Sequence, residues 1–307
     1  MVDWITPSAA LALGAALARA NSCTVASTRR LVFEGHADWL VGLAVAMAWA
    51  GLTMTLFAVA LPQVVLLPAP QAVGWQVIVG AIIIGLGATM NRGCFLGSVA
   101  ALGRGKLGYA LTLAGIALAV ALLPNNVRTA PLGPINDAPP ELRSSLSWWI
   151  ALLLFSPLAL MGLWQWARHR KGPVLALVLV GIAGGTVYAC NPDWSYTSGL
   201  YRIAASGLEP ASLRAELGAI AVVLGVAVSA VLGGVFRLQV PDLRSAIMHL
   251  AGGGLMGTGA LLVPGGNDTL MLWAIPGLTL YGLVAYAIMI ATIALLLMMF
   301  RHFRGAR

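Results

Sequence analysis

The 307-residue chain is 60% hydrophobic and only 9% charged, with a mean hydropathy of +0.90. A soluble domain carries about 25% charged residues, so this chain lacks the polar side chains to coat a soluble particle of its size. Its formal charge of +8, from 18 Lys and Arg against 10 Asp and Glu, sits in short clusters between apolar runs. There is no basic stripe with interleaved aromatics, which excludes nucleic acid as a partner. Three cysteines without CxxC or CxxH spacing exclude a disulfide framework and a zinc site. The partner this composition demands is the lipid bilayer.

A bilayer core of about 30 Å needs roughly 20 apolar residues per helix. The first uncharged run, 4–18, is short; Asp3 stands where a signal peptide would carry its basic region, so no cleavable leader is expected. It leads to a polar tip, Asn21-Ser22-Cys23-Thr24. A bulky spanning helix follows at 39–61, then a second tip, Asn91-Arg92-Gly93-Cys94, and a spanning helix at 107–123. The Pro- and Asn-rich segment 124–145 is the longest polar stretch and divides the chain into comparable halves. Beyond it lie a spanning helix at 147–166, a third tip at Cys190-Asn191-Pro192-Asp193, and a spanning helix at 217–236. The fourth tip is Pro264-Gly265-Gly266-Asn267-Asp268, and a last spanning helix covers 279–300.

The segments around the tips are rich in Gly and Ala, and several are too short to cross. A helix broken in hydrocarbon leaves orphan N–H and C=O groups, so it survives only inside protein or against a wet cavity. The pairs Gly93/Gly97, Gly181/Gly185 and Gly253/Gly257 have the small-xxx-small spacing that lets helices approach closely. The four tips therefore read as re-entrant helix-tip-helix hairpins beside five spanning helices.

Arg104 and Lys106, Arg168 with Arg170 and Lys171, and Arg301 with Arg304 and Arg307 form three clusters that the positive-inside rule assigns to the cytoplasm. The 124–145 loop balances Arg128 and Arg143 against Asp137 and Glu141 and is expected outside, as is the N-terminus. On this path 39–61 and 147–166 cross inward, 107–123 and 217–236 cross outward, and the C-terminus ends in the cytoplasm. The first and fourth hairpins then dip from outside and the second and third from inside. The halves have one order of elements in opposite orientation, a transporter signature. The reading is an all-α polytopic membrane protein of two inverted repeats with spanning helices and re-entrant helical hairpins. Residues 1–127 form the first repeat, 128–171 the outer loop and connecting helix, and 172–307 the second repeat.

The segments Gly87-Ala88-Thr89-Met90-Asn91-Arg92-Gly93-Cys94-Phe95-Leu96-Gly97 and Ala20-Asn21-Ser22-Cys23-Thr24 resemble the YeeE/YedE sulfur-transport family. So does Gly257-Thr258-Gly259 followed by Pro264-Gly265-Gly266-Asn267-Asp268. The resemblance implies a bacterial inner-membrane importer of thiosulfate or a related sulfur anion, not an enzyme, with no cofactor. It also implies re-entrant helices pinching an hourglass, cysteines along its axis, and a small TusA-like sulfur carrier in the cytoplasm as partner. The family's cysteines at the first two tips carry over onto Cys23 and Cys94. At the last tip, where some members place a third, this chain has Pro264-Gly265-Gly266; its third cysteine is Cys190.

The chemistry of the tips can be weighed from the residues alone. A half-helix offers free N–H groups and the positive end of its dipole to an anion, and Arg92 adds a full charge. A thiol is a weak donor and acceptor, so thiols along a path pass a sulfur anion without holding it. A lone Cys usually packs as a small hydrophobe, but all three cysteines fall at tips. The candidate path is Cys23, Cys94, Cys190, Asn91, Arg92, Gly93, Asn267 and Asp268, with Cys23 and Cys94 near the midplane and Cys190 lower on the cytoplasmic side. Asp193 and Asp268 also suit helix capping, and Ser195, Tyr196 and Thr197 suit either the path or tip backbone. His36, His169, His302 and His249 suggest no site, and Trp4, Trp39, Trp148, Trp149, Trp164 and Trp166 read as interfacial anchors. The competing reading is a membrane thiol enzyme, a sulfurtransferase or quinone-linked oxidoreductase with a covalent Cys intermediate. A nucleophilic thiol wants a nearby base, and no His belongs to a tip.

Overall fold

The computed structural model describes residues 2–20, 22–62, 65–68, 71–123, 145–169, 172–194 and 210–305. Among these the chain is helical, with one isolated bridge between Lys106 and Gln239 and no strand. The elements are α1 (Val2–Leu17), α2 (Thr24–Glu34), α3 (Asp38–Ala60), α4 (Trp75–Asn91), α5 (Phe95–Gly103), α6 (Gly108–Leu122), α7 (Ser145–His169), α8 (Gly172–Cys190), α9 (Pro210–Leu232) and α10 (Leu243–Leu262). The short α11 (Asn267–Thr269) continues as a π-helical turn over Leu270–Ala274, and α12 (Leu280–Gly305) ends the chain. The expected polar segment 124–145 lies almost wholly outside the described residues.

Among the described residues six helical spans, rather than five, are long and apolar enough to cross a bilayer: Asp38–Ala60, Trp75–Gly103, Trp149–Arg168, Gly172–Cys190, Leu243–Leu262 and Leu280–His302. Three shorter apolar helices, Trp4–Leu17, Gly108–Leu122 and Leu217–Leu232, accompany them. The difference from the expected count lies at the tips. The first arms α4, α8 and α10 are helices of 17 to 20 residues, while α5 and α11, the second arms after α4 and α10, are short.

Packing between these helices is set by glycine, because only a missing Cβ lets one backbone touch another. On α4, a Cβ at Gly80 would stand 2.8 Å from the Gly259 carbonyl of α10, and one at Gly87 would stand 2.7 Å from that of Gly252. The residue numbers rise on one helix as they fall on the other, so α4 and α10 are antiparallel. Gly181 and Gly185 of α8 lie against Ala46 and Ala50 of α3, so that pair is parallel. Gly253 and Gly257 of α10 lie likewise against Thr112 and Ile116 of α6. The small-residue pairs at 181/185 and 253/257 thus make close backbone contacts.

One face of the molecule collects the basic helix ends. Arg301 near the end of α12 donates to the Val32 carbonyl of α2 at 3.0 Å, and Arg244 at the start of α10 shares a cavity with Arg301. The segment before α10 reaches the end of α5, where the Arg237 amide donates to the Arg104 carbonyl at 3.0 Å. Helix α3 starts on this face too, since Arg30 of α2 pairs with Asp38 at 2.9 Å. Gly51 of α3 packs on Phe155 of α7 and Gly162 of α7 on Val45 of α3, so these helices are antiparallel. The expected path, with 39–61 and 147–166 crossing the same way, is therefore corrected: α3 runs away from the basic face and α7 toward it.

The two halves share a spacing. Asp38–Ala60 and Pro210–Leu232 start and end 172 residues apart; so do the starts of α5 and α11, Phe95 and Asn267, and those of α6 and α12, Gly108 and Leu280. The same offset exchanges the two glycine contacts of α4 and α10, turning Gly80–Gly259 into Gly252–Gly87. With single cysteines on a cysteine-free chain, His36→Cys and Gln239→Cys are expected to label from one side of the membrane and Pro62→Cys from the other. Labelling of positions 36 and 62 from the same side would overturn the assigned direction of α3.

Candidate functional site

The second tip is held by an asparagine. Arg92 takes a left-handed backbone (φ 58°) that ends α4, and its N–H returns to the Ala88 and Thr89 carbonyls. Asn91, fully buried, donates from Nδ2 to the Gly93 carbonyl and to Ser98 Oγ, both at 2.8 Å. Its Oδ1 accepts from Thr112 Oγ1 at 2.7 Å and faces His249 Nδ1 at 2.7 Å. The amide orientation follows from the Gly93 carbonyl, which only an N–H can satisfy, so His249 donates through Nδ1. All four hydrogen-bonding positions of the amide are engaged with protein. Asn91 braces the tip.

Just beyond, Cys94 begins α5. Its Sγ accepts the Gly97 N–H at 3.4 Å, capping α5, and also the Thr24 N–H at 3.4 Å, the first amide of α2. One buried sulfur therefore sits on the N-terminal ends of two helices. Cys23, half-buried, precedes α2 and faces the same point: a Cβ on Gly97 would stand 2.6 Å from Cys23 Sγ and 3.5 Å from Cys94 Sγ. Glycine at 97 leaves room for both thiols. Helices α2 and α5 both run to the basic face, so these two tips enter from one side and not, as expected, from opposite sides.

The fourth tip arrives from the other direction. Asn267 Oδ1 accepts the Phe95 N–H at 2.9 Å, and its Nδ2 donates to Thr24 Oγ1 at 3.4 Å. Thr24 Oγ1 also shares a hydrogen bond with Tyr286 Oη at 3.1 Å. Asn267 thus ties three tips together. Asp268, 1% exposed, accepts from Tyr188 Oη at 3.1 Å, while its Oδ1 has no hydrogen-bond partner. The chain beyond rises to the face opposite the basic one, where Trp273 Nε1 donates to the Leu66 carbonyl at 2.9 Å.

Of the expected path residues, Cys23, Cys94, Gly93 and Asn267 come together with the bracing Asn91. Arg92 is exposed at the edge, lining the basic-face cavity, and Asp268 is the second residue of α11. Cys190 stands apart. It ends α8, which runs parallel to α3, and the neighbouring Ala189 carbonyl accepts from Leu66 N at 2.9 Å, so it lies toward the face opposite the basic one. The expected place of Cys190, lower on the side of the basic clusters, is therefore corrected to the side away from them. The side chains of Asn21, Asp193, Ser195, Tyr196 and Thr197 lie outside the described residues. Thr24, part of the first tip, joins the site, as do Tyr286, Tyr188, Thr112 and His249, which no tip contains; their partners lie about 20 to 260 residues away, and of these four only His249, a polar residue in an apolar helix, carries a local signal.

Removing the brace should loosen the tip. Asn91→Ala leaves Thr112, Ser98, His249 and the Gly93 carbonyl without their partner, at about 1–3 kcal/mol for each buried group left unpaired. The purified variant is expected to melt well below the parent, and more so than Asn267→Ala, which frees one amide and one hydroxyl. Equal melting temperatures of parent and Asn91→Ala would remove the brace.

Comparison with known families now bears on this geometry. No curated protein matches the chain. A family model described as sulphur transport matches residues 19–188 and 142–295, and so takes in all four tips. The chain belongs to the YeeE/YedE sulphur transport family, a family of integral membrane transporters.

Proposed function

We propose that the chain imports thiosulfate, or a closely related small sulfur anion, along a path that passes between Cys23 and Cys94. The observation that carries this reading is the meeting of both thiols on the N-terminal ends of α2 and α5, inside the protein and between apolar crossing helices. An anion entering there gains the positive ends of two helix dipoles and soft sulfur contacts. Conduction needs binding strong enough to enter and weak enough to leave, and weak thiol contacts suit that need.

The family match supports a role in sulfur transport rather than catalysis. The common offset of 172 residues and the antiparallel α4–α10 pair support two inverted repeats, 1–127 and 172–307, joined through 128–171. Repeats of that kind place a substrate path where their broken helices meet. With the basic face in the cytoplasm, by the positive-inside rule, the N-terminus lies outside and the C-terminus within. A small cytoplasmic sulfur carrier of the TusA type is the partner this reading implies for the delivered sulfur.

The test is uptake of labelled thiosulfate into proteoliposomes, with sulfate, sulfite and selenite in parallel. Losing one contact worth about 1–3 kcal/mol at the narrowest point should slow uptake roughly 5- to 150-fold. Cys23→Ala and Cys94→Ala are each expected to fall in that range, and Cys190→Ala to cost less. Gly97→Ala, which pushes a methyl group against both sulfurs, is expected to behave like loss of a thiol. Full uptake by the Cys23 and Cys94 variants would end the proposal. A labelled persulfide on either thiol would turn it toward the enzyme.

A further inference from the structure

A cavity of about 840 Å³ opens at the basic face between α2, α4, α10 and α12. Each of these elements sends one arginine into its lining: Arg29 from α2, Arg92 from the cap of α4, Arg244 from α10 and Arg301 from α12. Among the described residues none of the four lies within ion-pair distance of a carboxylate. Of the nearest acids in sequence, Glu34 and Asp38 are engaged by Arg30 at 3.7 and 2.9 Å, and the exposed Asp242 bonds Ser245 and lies within electrostatic reach of Arg244 without pairing with it. Phe33 holds two of the guanidinium groups in place, with Arg29 5.8 Å and Arg301 6.0 Å from its ring centre. Four converging positive charges, none ion-paired with a carboxylate among the described residues, repel one another unless an anion joins them.

The rest of the cavity selects the kind of anion. Its wall is apolar and opens sideways, with Leu86 38%, Leu255 37% and Phe300 54% exposed on helices that read as crossing the bilayer. A free inorganic anion satisfies the arginines and leaves that wall unpaired. An amphiphile satisfies both. Basic pockets between helices on the cytoplasmic side are the places where anionic lipid headgroups bind. We propose that this cavity is a binding site for an anionic phospholipid. The phosphate lies among Arg29, Arg92, Arg244 and Arg301, and an acyl chain runs along Leu86, Leu255 and Phe300. The lining begins at Val25 and Ala26, next to the Thr24 amide held by Cys94, so an occupant steadies the start of α2. This inference does not depend on which anion the protein transports.

The experiment uses the full chain in phosphatidylcholine nanodiscs, titrated with phosphatidylglycerol and, separately, with inorganic phosphate. Retention is read by native mass spectrometry and stability by thermal melting. Phosphatidylglycerol is expected to be retained and to raise the melting temperature, and inorganic phosphate to do neither. Each arginine near an anionic surface contributes about fivefold in affinity, so Arg29→Gln with Arg301→Gln should weaken retention about 25-fold. Arg244→Gln, exposed and without a bond to the backbone, should weaken it about fivefold even if the double variant folds poorly. Arg168→Gln, outside the cavity, is the control and should change nothing. The proposal is overturned if inorganic phosphate stabilises as well as the lipid does, which would mark a free-anion site. It is overturned equally if phosphatidylglycerol and phosphatidylcholine behave alike, or if Arg244→Gln retains the lipid as the parent does.

Discussion

A helix that stops inside the hydrocarbon layer leaves amides and carbonyls with no water to take them, at several kcal/mol each. This constraint shapes the centre of the molecule. The breaks are relieved by their own residues and by one another: Cys94 takes the Gly97 amide of its own helix and also the first amide of α2, and Asn267 takes the first amide of α5. Trp273 supplies the Leu66 carbonyl that the 65–68 segment exposes. The first two tips are each completed by a side chain from elsewhere in the chain, and Asn267 links the second half to both. The site is therefore a property of the assembled fold, and a change at one tip is felt at the others.

The same constraint explains the glycines. Side chains cannot supply a hydrophobic drive between helices already bathed in lipid, so the helices hold together by close contact and dispersion. The reciprocal contacts of Gly80 with Gly259 and of Gly87 with Gly252 bring two backbones together over two turns. Gly97 has a different use. It lies not against a neighbouring helix but against two sulfurs, and it leaves the space in which the thiols meet. Its spacing from Gly93 resembles a packing motif, although the two glycines face Tyr109 and the thiols instead.

Composition and hydropathy made the membrane class legible, and the polar tips stood out against apolar flanks wherever they occurred. Two of the three close-packing glycine pairs were legible for the same reason, because small-residue spacing is local information. Direction was not. Hydropathy has no sign along the membrane normal, and the long first arms α4, α8 and α10 looked short because their small residues dilute a bulky apolar signal. Treating them as half-helices reversed α3 relative to α7. Proximity was invisible as well: His249 meets Asn91 across 158 residues, and Cys23 meets Cys94 across about 70. Cys190 shares the tip-like setting of the other two in sequence, yet the end of α8 carries it toward the opposite face.

The last tip shows that the lack of a cysteine there is built into this chain. Gly266 begins α11 with the backbone angles that Cys94 has at the start of α5, φ −77° and ψ 178° against φ −80° and ψ 179°. The position is the counterpart of Cys94 at the shared offset. Yet a Cβ on Gly266 would stand 2.9 Å from the Phe95 ring and press on the Asp268 carboxylate. The room a thiol would take is filled by an aromatic edge and a buried acid held by Tyr188. Restoring a cysteine at 266 alone would therefore displace Phe95 and with it the capped start of α5, so two thiols at the centre form a set that the surrounding packing specifies.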